Sequence, residues 1–357
     1  MSARLLISGA GTPASNNLIR SLRAADPSLR IAAFHSDRFV LRRSDADRRY
    51  LVPLAGHPAY RGVLRRILEV EHADLLIPTS DPDVLALSRL RQKIPCRLYL
   101  PRHATIEACQ DKYEMSIRLR KRRIPAPLTY PVTSLGRLDS LFRRLPARPR
   151  VWCRMRTGSG SMGAIPVTRP DQARSWIRHW QAMRRVRVDA FTLSEYLPGR
   201  DFGCQSLWKD GALILIKTYE RLSYLGMGGN PGQVSSVATL AKTVRDPRVV
   251  DICARALRAL DPRASGVFSV DLKENADGVP CITDFNAGRF SSATAVYDLT
   301  GNHNMAITFV RLALGEPVDL RDEYDVDEDY YVLRDVDMPP SVFHADDFFD
   351  GIEEARA

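Results

Sequence analysis

Short apolar runs alternate with helix-like stretches along residues 4–100, and this alternation limits the fold more than any other feature of the chain. Arg4–Ser8 (RLLIS), Arg30–Phe34, Asp74–Pro78 (DLLIP) and Arg97–Leu100 have strand length. Asn16–Ala24, Ala59–Val70 and Asp83–Gln92 carry helical patterns. Strands separated by helices need crossover connections, so they imply a parallel sheet. Ligands of such sheets sit beyond the carboxyl ends of the strands. Those ends here carry Gly9-Ala10-Gly11 and Thr79-Ser80-Asp81. The glycine turn is an incomplete dinucleotide fingerprint. Ala14 stands at the third glycine position, and Asp37 comes closest to the acidic residue expected after the second strand. A nicotinamide enzyme is therefore the weaker reading beside a plain tight turn.

The pattern changes after the helix expected over Lys112–Arg122, where Ile124-Pro125-Ala126-Pro127 breaks the chain. Strand-like runs follow at Val151–Met155, Phe191–Glu195, Gly203–Trp208 and Ala212–Lys217, then a helix at Pro247–Leu260. The runs Gly266–Lys273 and Val279–Asn286 flank the turn Asp277-Gly278 and read as a hairpin. This part is antiparallel α+β. With 357 residues and 45% hydrophobic content, two or three lobes are expected. The division places an α/β domain over 1–110, a two-lobed domain over 111–320 with lobes at about 111–197 and 198–320, and an acidic surface extension over 321–357.

A net charge of +10 raises the question of nucleic acid. The basic runs, such as Arg118–Arg123 (RLRKRR), lack the interleaved aromatics that base stacking needs. They read as solvated helix faces that attract small anions. No apolar run approaches membrane-spanning length, and no leader pattern opens the chain. The six cysteines are scattered, without metal-ligand spacing, and read as buried thiols of a cytoplasmic protein.

Four segments of the second part carry chemistry. In Arg154–Gly163 (RMRTGSGSMG), Gly158, Ser159, Gly160, Ser161 and Gly163 form a loop whose backbone can approach a phosphate closely. In Glu195–Phe202 (EYLPGRDF), a strand end and a Pro-Gly turn suit a hinge against a base, with Asp201 placed for a sugar hydroxyl. Asp284 and Asn286 lie two apart on one strand and share a face, and Asp271 lies across the hairpin. Two carboxylates and an amide oxygen suit Mg²⁺. Lys112, in Asp111-Lys112-Tyr113, stands at a helix start.

The order of these segments resembles the ATP-grasp superfamily, and most closely its carbamoyl-phosphate-synthetase-like carboxylate–amine ligases, over about residues 4–310. The resemblance implies a Rossmann-like preceding domain followed by a two-lobed ATP-grasp domain, with ATP and Mg²⁺ as cofactors. It implies Lys112 and Arg154 on the ATP phosphates beneath the loop Gly158–Gly163. Glu195, Tyr196 and Leu197 would lie at the adenine, Asp201 at the ribose, and Asp271, Asp284 and Asn286 at Mg²⁺. Arg289 would face the γ-phosphate or acyl phosphate, and Lys217 and Arg221 would meet a phosphate or a substrate carboxylate. The reaction implied is amide bond formation through an acyl phosphate, with ADP and phosphate released. The partners implied are a small carboxylate and a small amine, with a homodimer among the allowed assemblies. The Gly226–Gly232 loop is the expected lid. Three positions depart from the pattern: Arg154 replaces a lysine, Asp284 replaces a glutamate, and Gly288 sets Arg289 one residue later than usual. A non-catalytic nucleotide-binding module and a phosphotransferase are the neighbouring alternatives.

Overall fold

The computed structural model describes residues 3–146, 150–158, 160–225, 235, 237–298, 300–320, 322–335, 341–348 and 350. Its strands are β1 (Arg4–Ser8), β2 (Arg30–His35), β3 (Arg48–Leu51), β4 (Leu75–Ile77), β5 (Thr129–Pro131), β6 (Val151–Met155), β7 (Ile165–Val167) and β8 (Phe191–Glu195). They continue with β9 (Asp201–Lys209), β10 (Ala212–Tyr224), β11 (Ala238–Thr243), β12 (Gly266–Glu274), β13 (Pro280–Ala287), β14 (Tyr330–Leu333) and β15 (Ser341–His344).

The first sheet is parallel in the order β3-β2-β1-β4, as the alternating runs require. Its central strands are buried on both faces because helices cover both. Caps fix where those helices begin. Thr12 accepts from the Ser15 amide ahead of the helix Pro13–Ala25, and Ser80 accepts from the Asp83 amide ahead of Asp81–Leu90. The expected strand Arg97–Leu100 contributes only an isolated bridge, Leu75 to Arg97.

The second sheet is antiparallel in the order β5-β8-β6-β7 and has its own core around Phe191, Leu193 and Ile177. The third runs β13-β12-β9-β10-β11-β14-β15. Its core is continuous with that of the first domain: Leu5, Ile7 and Leu18 pack in one cluster with Leu207, Leu215, Val267 and Phe309. This shared apolar contact fixes the first sheet against the third. Side chains add to it, since Asn17 Nδ2 donates to Ser292 O at 2.6 Å and Tyr99 OH to Trp208 O at 2.5 Å.

The acidic tail is not the surface extension that its composition suggests. β14 pairs with β11 and β15 with β14, so the tail completes the third sheet. Its root is tied down as well, through Ile216 N to Glu323 O at 2.7 Å and a buried ion pair, Lys217 Nζ to Asp325 at 2.9 Å. The local acidity of the tail masked strands whose faces alternate only over four residues each. Five of the six cysteines are buried, Cys96 is partly so, and none forms a disulfide.

Candidate active site

All three sheets line one open cleft of about 1350 Å³. The first domain contributes the carboxyl ends of β1 and β4, the second sheet contributes β6 and the loop after it, and the third contributes the cleft face of β9, β10, β12 and β13.

Strand register builds the polar wall. Asp271 pairs with Asp284 and Ser269 with Asn286 across β12 and β13, so all four share a face. Gly203 stands opposite Asp271 on β9, and there the Tyr219 ring of β10 crosses; a Cβ at residue 203 would come within 2.2 Å of it. Arg221, two residues further along β10, donates to Asp201 Oδ1 at 2.8 Å and to the Asp271 carboxylate. Tyr224 OH donates to the other oxygen of Asp201, and Lys273 Nζ stands 3.7 Å from it. Asp201, expected at a ribose, thus has both oxygens engaged and a second lone pair free on each. Burial pushes the Asp271 carboxyl above its ordinary value, with Arg221 opposing and Asp284 reinforcing the rise.

The cations of the opposite wall close on this acidic pair. Asp111 caps the helix Lys112–Lys121 by accepting from the amides of Tyr113 and Glu114. Lys112 therefore leaves the helix start with its Nζ 3.3 Å from Asp284 and 2.8 Å from Gly158 O. Arg154 reaches over from β6, and its Nη2 donates to Thr283 O at 3.0 Å. Its Nε is buried without a partner among the described residues. Burial lowers the Arg154 pKa, and Asp284 and Asp271 work against that fall. Arg289 donates to Asp81 of the first domain and to Asn286 Oδ1. Burial opposes its charge, and Asp81, with Asp284 and Asp271 behind it, more than restores it.

Gly158, Gly160 and Ser161 line the cleft, all at positive φ. Gly163 lies behind the loop, where its carbonyl accepts from Trp176 Nε1 at 3.0 Å. A Cβ at 163 would meet Met155 at 2.7 Å, so this glycine serves packing. Ser159 and the Gly226–Gly232 loop fall outside the described residues. At the hinge, Tyr196 and Leu197 line the cleft beside Trp152, with the Tyr196 and Trp152 rings 6.4 Å apart. Glu195 also lines it, but its Oε1 accepts from Leu128 N at 3.1 Å and pins the hinge instead of pointing freely.

Lys217 is the expected site residue that the structure places elsewhere. It shares the face of Tyr219 and Arg221, but the helix Thr294–Asp298 covers it there. Its ammonium donates to the carbonyls of Tyr297 and Thr300 and pairs with Asp325, so a buried lysine is fully satisfied away from the cleft. Arg221 does lie in the cleft, though it is held between two carboxylates. The glycine turn of the first domain is likewise structural. A Cβ at Gly11 would lie 1.8 Å from Val40 O and one at Gly9 would lie 2.4 Å from Thr79 Oγ1, so close packing explains both glycines. Arg334, at the end of β14, lines the cleft and was hidden by the acidity of its surroundings.

The residues present fit Mg²⁺ and a nucleotide. Among the described residues no three His, Cys, Asp or Glu side chains could hold a metal by themselves. Mg²⁺ commonly takes one or two carboxylates and completes its shell with phosphate oxygens and water. The Asp271–Asp284 pair with Asn286 matches that donor set, and the unpartnered Arg154 Nε matches a phosphate oxygen.

No family model and no curated protein matches the chain. Solved structures do. L-amino acid ligase from Bacillus licheniformis is 13% identical, with 93% of this chain and 79% of that chain covered at a TM-score of 0.70. Carboxyaminoimidazole ribonucleotide synthase from Aspergillus clavatus, complexed with ATP, is 14% identical, with 93% and 81% covered at 0.67. Biotin carboxylase from Campylobacter jejuni is 10% identical, with 93% and 75% covered at 0.70. Such distant likeness shows the fold: this chain has the ATP-grasp fold, preceded by an α/β domain.

Proposed function

We propose that the chain is an ATP-dependent carboxylate–amine ligase working through an acyl phosphate. One observation carries the reading. Lys112, Arg154 and Arg289 converge from three elements on the face that bears Asp271, Asp284 and Asn286, in a fold shared with ligases.

In this reading the adenine lies between the hinge Glu195–Leu197 and Trp152. Lys112 and Arg154 hold the phosphates, and the Gly158–Gly163 loop covers them. Mg²⁺ held by Asp271, Asp284 and Asn286 would neutralise charge on the phosphate oxygens. Arg289, oriented by Asp81, positions the substrate carboxylate against the terminal phosphate. A carboxylate oxygen attacks the γ-phosphorus and the bond to ADP breaks. The amine then attacks the acyl carbon, loses a proton, and the original carboxylate oxygen departs with phosphate. Positioning and fixed charge supply the rate, so the reaction requires no covalent bond to the protein.

The test is ADP release measured over a matrix of small acids and amines, with the product identified by mass. Turnover that needs both substrates, with a product lighter than their sum by one water, supports the reading. ADP release with a phosphorylated alcohol as product refutes it in favour of a phosphotransferase. No ADP release in any combination, from protein that binds Mg-ATP, refutes it in favour of a nucleotide-binding module.

A further inference from the structure

The cleft face of the third sheet carries a cation for which neither the nucleotide nor the metal accounts. Arg221 of β10 pairs in register with Ala241 of β11, which pairs with Val332 of β14. Side chains two apart on a strand share a face. Arg334 follows Val332 by two residues, so it lies on the same face as Arg221, and its amide still donates to Thr239 O at 2.8 Å. It lines the cleft together with Tyr219 and Arg221.

The charges nearby are otherwise matched. Arg221 and Lys273 answer Asp201 and Asp271. Arg334 has no carboxylate partner among the described residues. Burial lowers its pKa, the Arg221 charge acts in the same direction, and only the Tyr219 and Tyr297 hydroxyls counter them. A partly desolvated guanidinium beside a second one is costly unless an anion joins them. The position is also rigid. Asp325 and Glu323 anchor the root of the tail, and β15 backs β14.

We propose that Arg334, delivered by the tail strand, receives a carboxylate of the substrate at the end of the cleft remote from Lys112. This rests on the ligase reading and adds that the substrate is anchored through an acidic group by a residue that the tail brings to the third sheet. A planar guanidinium offers a carboxylate two parallel hydrogen bonds, and the Tyr219 ring beside it narrows the site to small acids. Arg334 is a specificity residue in this account, since the phosphates lie with Lys112 and Arg154.

The experiment is calorimetric titration of the full chain, loaded with Mg-ADP, with malonate and with glutarate against chloride at equal ionic strength. Wild type is expected to bind at least one dicarboxylate. Arg334→Gln should weaken that binding about tenfold or more, the order expected for one charge-assisted contact, with Mg-ADP affinity retained. Arg334→Lys should fall between them, because it keeps the charge and loses the fork. A purely structural Arg334 would instead disturb Mg-ADP binding and the thermal midpoint together. Dicarboxylate affinity equal in wild type and Arg334→Gln overturns the proposal, as does wild type that binds Mg-ADP and neither acid. Wild type that binds the acids but not Mg-ADP sinks the ligase reading and, with it, the assignment of the carboxylate to a substrate.

Discussion

Arg289 grips Asp81 across the boundary between the first domain and the third sheet, with Nε on one carboxylate oxygen and Nη2 on the other at 3.2 Å. The two residues are 208 positions apart and both are partly exposed. Asp81 opens the helix Asp81–Leu90 at the carboxyl end of β4, where an α/β sheet presents its ligand-facing residues. In the proposed reading Asp81 orients a cation and would meet the substrate through Arg289.

Replacing Asp81 by Asn keeps the shape and removes the charge that orients Arg289. We expect kcat/KM for the acid to fall by roughly ten- to a hundredfold, the scale of one or two charge-assisted contacts, with KM for ATP nearly unchanged. Steady-state kinetics with each substrate varied in turn decides it. An equal loss for ATP and acid would mean that the pair only holds the domains together.

Asp284→Asn should cut turnover by orders of magnitude, because it removes one charge from the metal-facing pair. Lys112 stands 3.3 Å from Asp284, so the change also loosens a partly exposed ion pair. Stability of the free protein should therefore fall by no more than about 1 kcal/mol. Stabilisation by Mg-ATP should shrink much more, which thermal shift with and without the nucleotide measures.

The Lys217–Asp325 pair predicts an effect on stability instead of on chemistry. Lys217→Ala leaves Asp325 buried without its cation and should cost about 3–5 kcal/mol in urea unfolding. The double change Lys217→Met, Asp325→Asn should recover part of that loss, because an Asn side-chain oxygen still accepts from the Asn302 and His303 amides. Burial acts to raise the Asp325 carboxyl, but Lys217 and the amides of Asn302 and His303 outweigh it and hold it below the ordinary 3.8. A depressed folded value adds stability above pH 3.8 and loses it as pH falls through the folded value. The wild-type midpoint should therefore drop more steeply below pH 4 than that of the double variant. Parallel curves would contradict this account of the pair.

Nucleotide choice separates the two readings of the first domain. The close approaches of Val40 O to Gly11 and of Thr79 to Gly9 leave the glycine turn packed. We expect thermal stabilisation by Mg-ATP and none by NADH.

Much of this site is legible in the sequence because its parts are local. Register and strand alternation place Asp284 beside Asn286 and bring Asp271 across the turn between β12 and β13. The helix start at Lys112 follows from the Asp111 cap. The failures have one physical origin, which is that composition reports surroundings and not partners. Lys217 reads as a free cation on a cleft-facing strand until the helix Thr294–Asp298 and Asp325, far along the chain, cover it. The tail reads as solvated acid, yet Glu323 and Asp325 reach back to β10 and β14 extends the sheet. Arg334 is obscured for the same reason, since its neighbours in sequence hide its neighbours in space.

The central claim predicts where one oxygen atom goes. An acid labelled with ¹⁸O in its carboxylate, turned over with ATP and the amine, should deliver one labelled oxygen to the released phosphate, because the acyl phosphate breaks at the acyl carbon. Mass analysis of that phosphate is the measurement. One ¹⁸O per phosphate, with ADP as the other product, is the expected result. Unlabelled phosphate alongside amide product, or AMP and pyrophosphate in place of ADP, would contradict the account.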